Sequence, residues 1–144
     1  MRSAYAAQVA RRACPAYSDR IVSGGTHAAS GSAAQDSALR VSREFDMPLD
    51  NHISAPLELL ALNGEDVVVC MDALNEANVL AEYPILADRV FRVGDIDTAH
   101  ETLAHEDREL LDPFGKGDEV TRDAFSRLST LAEVWISRAA RPQS

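Results

Sequence analysis

The chain has 144 residues, of which 46% are hydrophobic and 26% charged, and a formal net charge of −9. That length fits one domain, 1–144, with enough apolar material for a core, while the acidic balance argues against nucleic acid or an anionic membrane surface as a partner, since both need clustered Lys and Arg. No apolar run approaches the roughly 20 residues that span a bilayer, and Met1–Arg12 lacks the apolar stretch of a secretory signal, so the cytoplasm is the expected location.

Taken in order, Ser3–Ala13 is rich in Ala and Arg and reads as a helix, stopped by Cys14-Pro15. Arg20–Ser23 is a short extended segment running into Gly24-Gly25, and His27–Ala34 reads as a loop. Ala33–Phe45 sets Ala34, Ala38, Val41 and Phe45 on one helical face. After an Asn63-Gly64 turn, the valine-rich run Asp66–Met71 reads as a strand buried on both faces. Leu74–Tyr83 is a helix ended by Pro84, and Arg89–Val93 a third short strand. The last helix is the clearest: Val120, Ala124, Leu128, Leu131, Trp135 and Ala139 recur at helical spacing, with Asp118 as its expected N-cap. Strand and helix alternate, which predicts an α/β fold: a small parallel sheet with helices on both faces.

Two cysteines, Cys14 and Cys70, give neither a CxxC pair nor a zinc site, and a disulfide framework is not expected. Cys70 lies inside the apolar run and reads as a buried, inert thiol. His27, His52, His100 and His105 show no metal-ligand spacing with a carboxylate. No metal or other cofactor is expected, and surface or loop positions are expected for the histidines.

Several short motifs occur in a fixed order: Ser23-Gly24-Gly25-Thr26, Gly31, His52-x-Ser54-x-x-Leu57, Asp66-Val-Val-Val-Cys-Met-Asp72-x-x-Asn75, and Asp112-Pro113-Phe114-Gly115 ahead of the last helix. Together they resemble the low-molecular-weight protein tyrosine phosphatases, bacterial type, over essentially the whole chain. The family opens with a strand and a phosphate-binding loop, C-x5-R-[ST]. With Met1 set on the methionine that starts the family's first helix, that strand, the nucleophilic cysteine and the arginine all fall before residue 1. No nucleophile is then present in the chain: Cys14 is about 20 Å from the helix start at 1.5 Å per residue. The missing strand would lie between the strand ending at Ser23 and Asp66–Met71. Its loss would leave two edges unpaired, so the 144 residues alone are expected to fold poorly, or with the two strands closing up.

The resemblance implies phosphotyrosine hydrolysis through a cysteinyl phosphate, with Asp112 as general acid and later base, Pro113 stiffening its loop, Phe114 flanking the substrate ring and Ser23 supporting the phosphate loop. Without the surrounding motifs, Asp112–Gly115 would read as a turn and Ser23 as a strand-end serine. Gly115 stands where many members carry a second aromatic. Asp72 or Asn75 is expected to cap the helix that follows. The implied partner is a phosphotyrosine protein, with a bacterial tyrosine kinase as a candidate. Two other readings are a non-catalytic binding or regulatory module and, lower, an arsenate reductase on the same fold, which needs a thiol relay that Cys70 in mid-strand does not supply.

Overall fold

In a computed structural model, described for residues 2–25, 36–53, 55–95, 110 and 112–139, the chain opens with α1, Arg2–Ala13. Pro15 begins a 3₁₀ turn over Pro15–Arg20 and ends the helix, because its ring cannot continue the α ladder. The segment after it is extended and, among the described residues, pairs only at Gly25, in a parallel bridge to Pro56. Arg20–Ser23, expected as the first strand, is therefore no strand, and the pairing lies just beyond it at Gly25. α2 spans Asp36–Glu44 and closes through Asp46, whose φ of 55° turns the chain so that Met47 N–H reaches the Ser42 carbonyl at 2.9 Å.

β1 is Val68–Cys70, α3 is Ala73–Glu82 and β2 is Val90–Arg92. The strands pair in parallel, Val68 with Val90 and Cys70 with Arg92. Among the described residues they form a two-stranded sheet, one strand fewer than the sequence pattern suggests. α4, Asp118–Ala139, closes the fold. Asp118 lies inside its first turn and is not its cap. The Gly117 carbonyl takes the first helical bond from Thr121 N–H, while the Asp118 carboxylate reaches across to Arg40 of α2 at 2.8 Å.

Side-chain alternation along β1 explains why helices lie on both faces. Val69 and Met71 join a core with Tyr5 and Val9 of α1, Val41 of α2 and Phe125, Leu128 and Leu131 of α4. Val68 and Cys70 turn the other way, into a smaller cluster with Leu57, Val79 of α3 and Tyr83. At the centre of the larger core, the Tyr5 and Phe125 rings stack at 4.1 Å, and the Tyr5 hydroxyl shares a hydrogen bond with Ser129 at 2.6 Å. Burial of such side chains contributes about 1.5–3 kcal/mol each.

The valine run is not buried throughout. Val68 and Val69 are half-buried and Val67 is 53% exposed, because a cleft opens along this side of β1. Residues 22–25 form its opposite wall.

Candidate active site

The cleft encloses about 370 Å³. Val22, Ser23, Gly24 and Gly25 form one wall, Val67 to Met71 the other, and Leu57, Leu60 and Leu62 line it further. Both walls run toward the start of α1. Arg11, late in α1, donates to the Ile21 carbonyl at 2.6 Å, whereas Ser3 donates to the Gly24 carbonyl at 3.3 Å. Likewise the chain leaving β1 reaches Asp72, beside Arg2. Gly24 is held close against its neighbour: a Cβ there would stand 2.7 Å from Leu60 Cδ1 and 3.3 Å from the Ala55 carbonyl. The walls of the cleft have not closed on each other.

Arg2, Ser3 and Asp112 sit at the end of the cleft where α1 begins, with Phe114 beside them. Arg2 is buried. It donates through Nη1 to the Leu110 carbonyl at 2.5 Å and through Nη2 to Asp72 Oδ2 at 2.8 Å, and the same Nη2 lies 3.9 Å from Asp112 Oδ2. The other Asp72 oxygen accepts Asn75 N–H at 2.8 Å, so Asp72 is the N-cap of α3 and Asn75 the residue it caps. Burial pushes the Asp72 carboxyl up, but the Asn75 amide and the Arg2 guanidinium outweigh it and hold the group below its ordinary value.

Asp112 is 56% exposed. Its Oδ1 accepts Phe114 N–H at 3.2 Å, and Lys116 N–H closes the turn on the Pro113 carbonyl at 3.0 Å. The turn and the Asp112 carboxylate are therefore one structure. Pro113 is fully buried and Phe114 projects outward. Gly115 takes φ +73°, a conformation that an aromatic residue adopts only with strain, which accounts for its place there.

Of the residues singled out in the sequence, Asp112, Phe114 and Ser23 all line this one cleft. The hydroxyl that ties the Val22–Gly25 wall to α1 is that of Ser3, not Ser23. His52 is half-buried in a loop, and burial lowers its pKa. His27, His100, His105, Thr26, Gly31 and Ser54 lie outside the described residues, as do the His27–Ala34 loop and the expected start of the second helix at Ala33. Among the described residues no cluster of three His, Cys, Asp or Glu side chains could hold a metal ion, and no helix is long and apolar enough to cross a membrane.

Sequence alone gives Arg2 no role, since it reads as one more residue of an Arg-rich helix. Yet Arg2-Ser3 at the start of α1 repeats the R-[ST] that ends the family's phosphate-binding motif, and the structure sets its guanidinium at the cleft beside Asp112. Neither cysteine approaches this point in a reactive form. Cys14 follows the far end of α1, and Cys70 is buried in β1, where loss of hydration pushes its thiol up to about 12.

The α/β fold thus brings together an arginine at a helix start, a carboxylate on a short Pro-containing turn and a largely apolar cleft. The chain belongs to the low-molecular-weight phosphotyrosine protein phosphatase family, whose sequence profile matches residues 1–143. It is 26% identical over 137 residues, 95% of this chain and 87% of the relative, to a probable low-molecular-weight protein-tyrosine-phosphatase EpsP of Ralstonia solanacearum. Among solved structures it is similar to the tyrosine phosphatase Wzb of Escherichia coli K30 in complex with sulphate, with TM-score 0.80, 22% identity, and 97% and 91% of the two chains covered. It is also similar to the Erwinia amylovora tyrosine phosphatase AmsI, with TM-score 0.80, 21% identity, and 98% and 87% covered. At those identities the structural likeness is one of fold.

Proposed function

We propose that the chain carries the oxyanion-binding and proton-transfer groups of a phosphotyrosine phosphatase. Arg2 takes the role of the arginine in C-x5-R-[ST] and Ser3 that of the residue after it, a register that replaces the one set by Met1. The observation that carries this reading is the meeting of Arg2 and Asp112 at one end of the cleft, with Asp72 paired to Arg2 beside it. The substrate is phosphotyrosine on a protein, of the kind a bacterial tyrosine kinase produces or carries.

The chemistry proceeds in two displacements. A cysteine thiolate attacks phosphorus while Asp112 gives its proton to the departing phenolate oxygen; water, deprotonated by Asp112, then attacks the cysteinyl phosphate and frees the thiolate. The Arg2 fork and the first N–H groups of α1 take the phosphoryl oxygens, and Phe114 packs beside the ring. In the register set by Arg2, the cysteine of the motif falls before residue 1, and Cys14 and Cys70 are unsuited to replace it. That unsuitability favours a second reading for these 144 residues on their own: a module that binds phosphorylated ligands without turning them over.

Hydrolysis of p-nitrophenyl phosphate and binding of phenyl phosphate, measured on the 144-residue chain and its Arg2→Gln variant, test both. The expected result is no turnover, with weak binding that Arg2→Gln abolishes. Turnover lost on Cys14→Ser or Cys70→Ser would show that the nucleophile has been misplaced. Binding unchanged in Arg2→Gln would remove Arg2 from the site.

A further inference from the structure

The Arg2 fork already has partners within the protein. Leu110 O, Asp72 and Asp112 all face it, and the Leu110 amide in turn donates to the Met71 carbonyl at 3.2 Å. An oxyanion that binds at Nη2 therefore shares it with two carboxylates. They are not equally held. Asp72 is 23% exposed, 2.8 Å away and fixed by its second bond to the α3 cap. Asp112 is mostly exposed, at 3.9 Å, beyond hydrogen-bond reach, on a turn that contains two glycines at positive φ. The Asp112 contact is the one that yields more readily.

We propose that phosphate and the Asp112 carboxylate compete for Arg2. Without phosphate, the Arg2 charge draws the Asp112 turn toward the cleft wall; a phosphate arriving at Nη2 neutralises that charge and releases Asp112 to swing toward the leaving-group side. Arg2 thereby acts as a positioning residue for Asp112 as well as an anion ligand. This rests on the reading of Arg2 as the oxyanion-binding group.

The test is inorganic phosphate binding to the full 144-residue chain, followed by calorimetry and by the Phe114 amide resonance, whose N–H donates to Asp112. Asp112→Asn is expected to bind phosphate about fivefold tighter, the factor that one unit charge at about 4 Å gives in a watery setting. Asp112→Glu keeps the charge but lengthens the reach to Arg2, and is expected to bind phosphate more weakly than the wild type. In the wild type the Phe114 resonance should move with the same midpoint as the heat. Unchanged affinity in Asp112→Glu together with a still Phe114 resonance would mean that Asp112 acts only through its general field, and overturns the competition. Wild-type affinity in Arg2→Gln, or in Arg2→Lys should the first variant not fold, rejects the underlying anion-site reading, a result distinct from failure of the Asp112 arm. Absence of phosphate binding in every protein rejects both.

Discussion

Arg2 and Asp72 meet at 2.8 Å, and this pair joins the first turn of α1 to the cap of α3, 70 residues further on. One carboxylate oxygen serves the ion pair and the other the helix. Asp72→Ala removes both and leaves the buried Arg2 cation without its closest counter-charge. The expected loss is about 3 kcal/mol, the scale for breaking a largely buried pair, read from the midpoint of urea unfolding. Asp72→Asn keeps an acceptor for the Asn75 amide and is expected to lose less. Equal losses in the two variants would mean that the cap contributes nothing.

The stacked Tyr5 and Phe125 rings anchor the larger core. Phe125→Ala is expected to cost about 3–5 kcal/mol, the range for deleting a fully buried aromatic. Trp135, which donates to the Val93 carbonyl at 2.8 Å and packs on Phe91, provides a fluorescence probe for that measurement. A loss below about 1 kcal/mol, the scale of an ordinary substitution, would place Phe125 outside the core.

Acid weakens the fold through identifiable carboxylates. Asp118 is lowered to about 2 by Arg40 and Ser37, and Asp72, Glu44 and Asp50 are also depressed. A carboxylate with a lower folded than unfolded pKa binds fewer protons when folded, so its contribution is fully present above the unfolded value and lost as pH falls through the folded one. Stability is expected to fall modestly as pH drops through the ordinary histidine value near 6.5, because burial lowers the His52 pKa, and to decline further from about pH 4 toward 2. Added salt should diminish the part due to the exposed Asp118, Glu44 and Asp50 pairs. Stability that rises as pH falls over that interval contradicts the assignment.

The two thiols differ in surroundings. Cys14 is half-exposed after α1, while Cys70 is buried and pushed up to about 12. Native protein at about pH 8 is expected to release one equivalent of chromophore from a thiol-reactive disulfide, the second following only after denaturation. Rapid reaction of Cys70→Ser protein and slow reaction of Cys14→Ser protein confirm which thiol is which. The reverse order would mean that the cleft exposes Cys70.

Local chemistry makes much of this legible in advance. Periodicity locates α4, prolines stop α1 and α3, and the Asp112-Pro113-Phe114 run marks a cleft residue. What escapes depends on partners far away in sequence. Asp118 has the chemistry of a cap, but Arg40 claims its carboxylate. Phe125 sits one position from the Ala124–Leu128 stripe and is the largest side chain buried in α4. Arg2 reads as a helix solubiliser until Leu110 and Asp72 are brought to meet it. The apolar run at β1 predicts the strand, but its composition says nothing of an open side, and that opening is the cleft.

Among the described residues the two faces of the sheet carry very unequal cores: thirteen buried residues on the α1–α2–α4 side against Leu57, Cys70 and Val79 on the other. Local opening follows such differences, since a segment with few buried apolar contacts separates at lower free energy than the whole. Amide hydrogens of α3 will therefore exchange with solvent deuterium well before those of α1 and α4. Asp72 stands at the boundary between these regimes, one oxygen on each side, so the slow half of the molecule holds one end of the fast half in place.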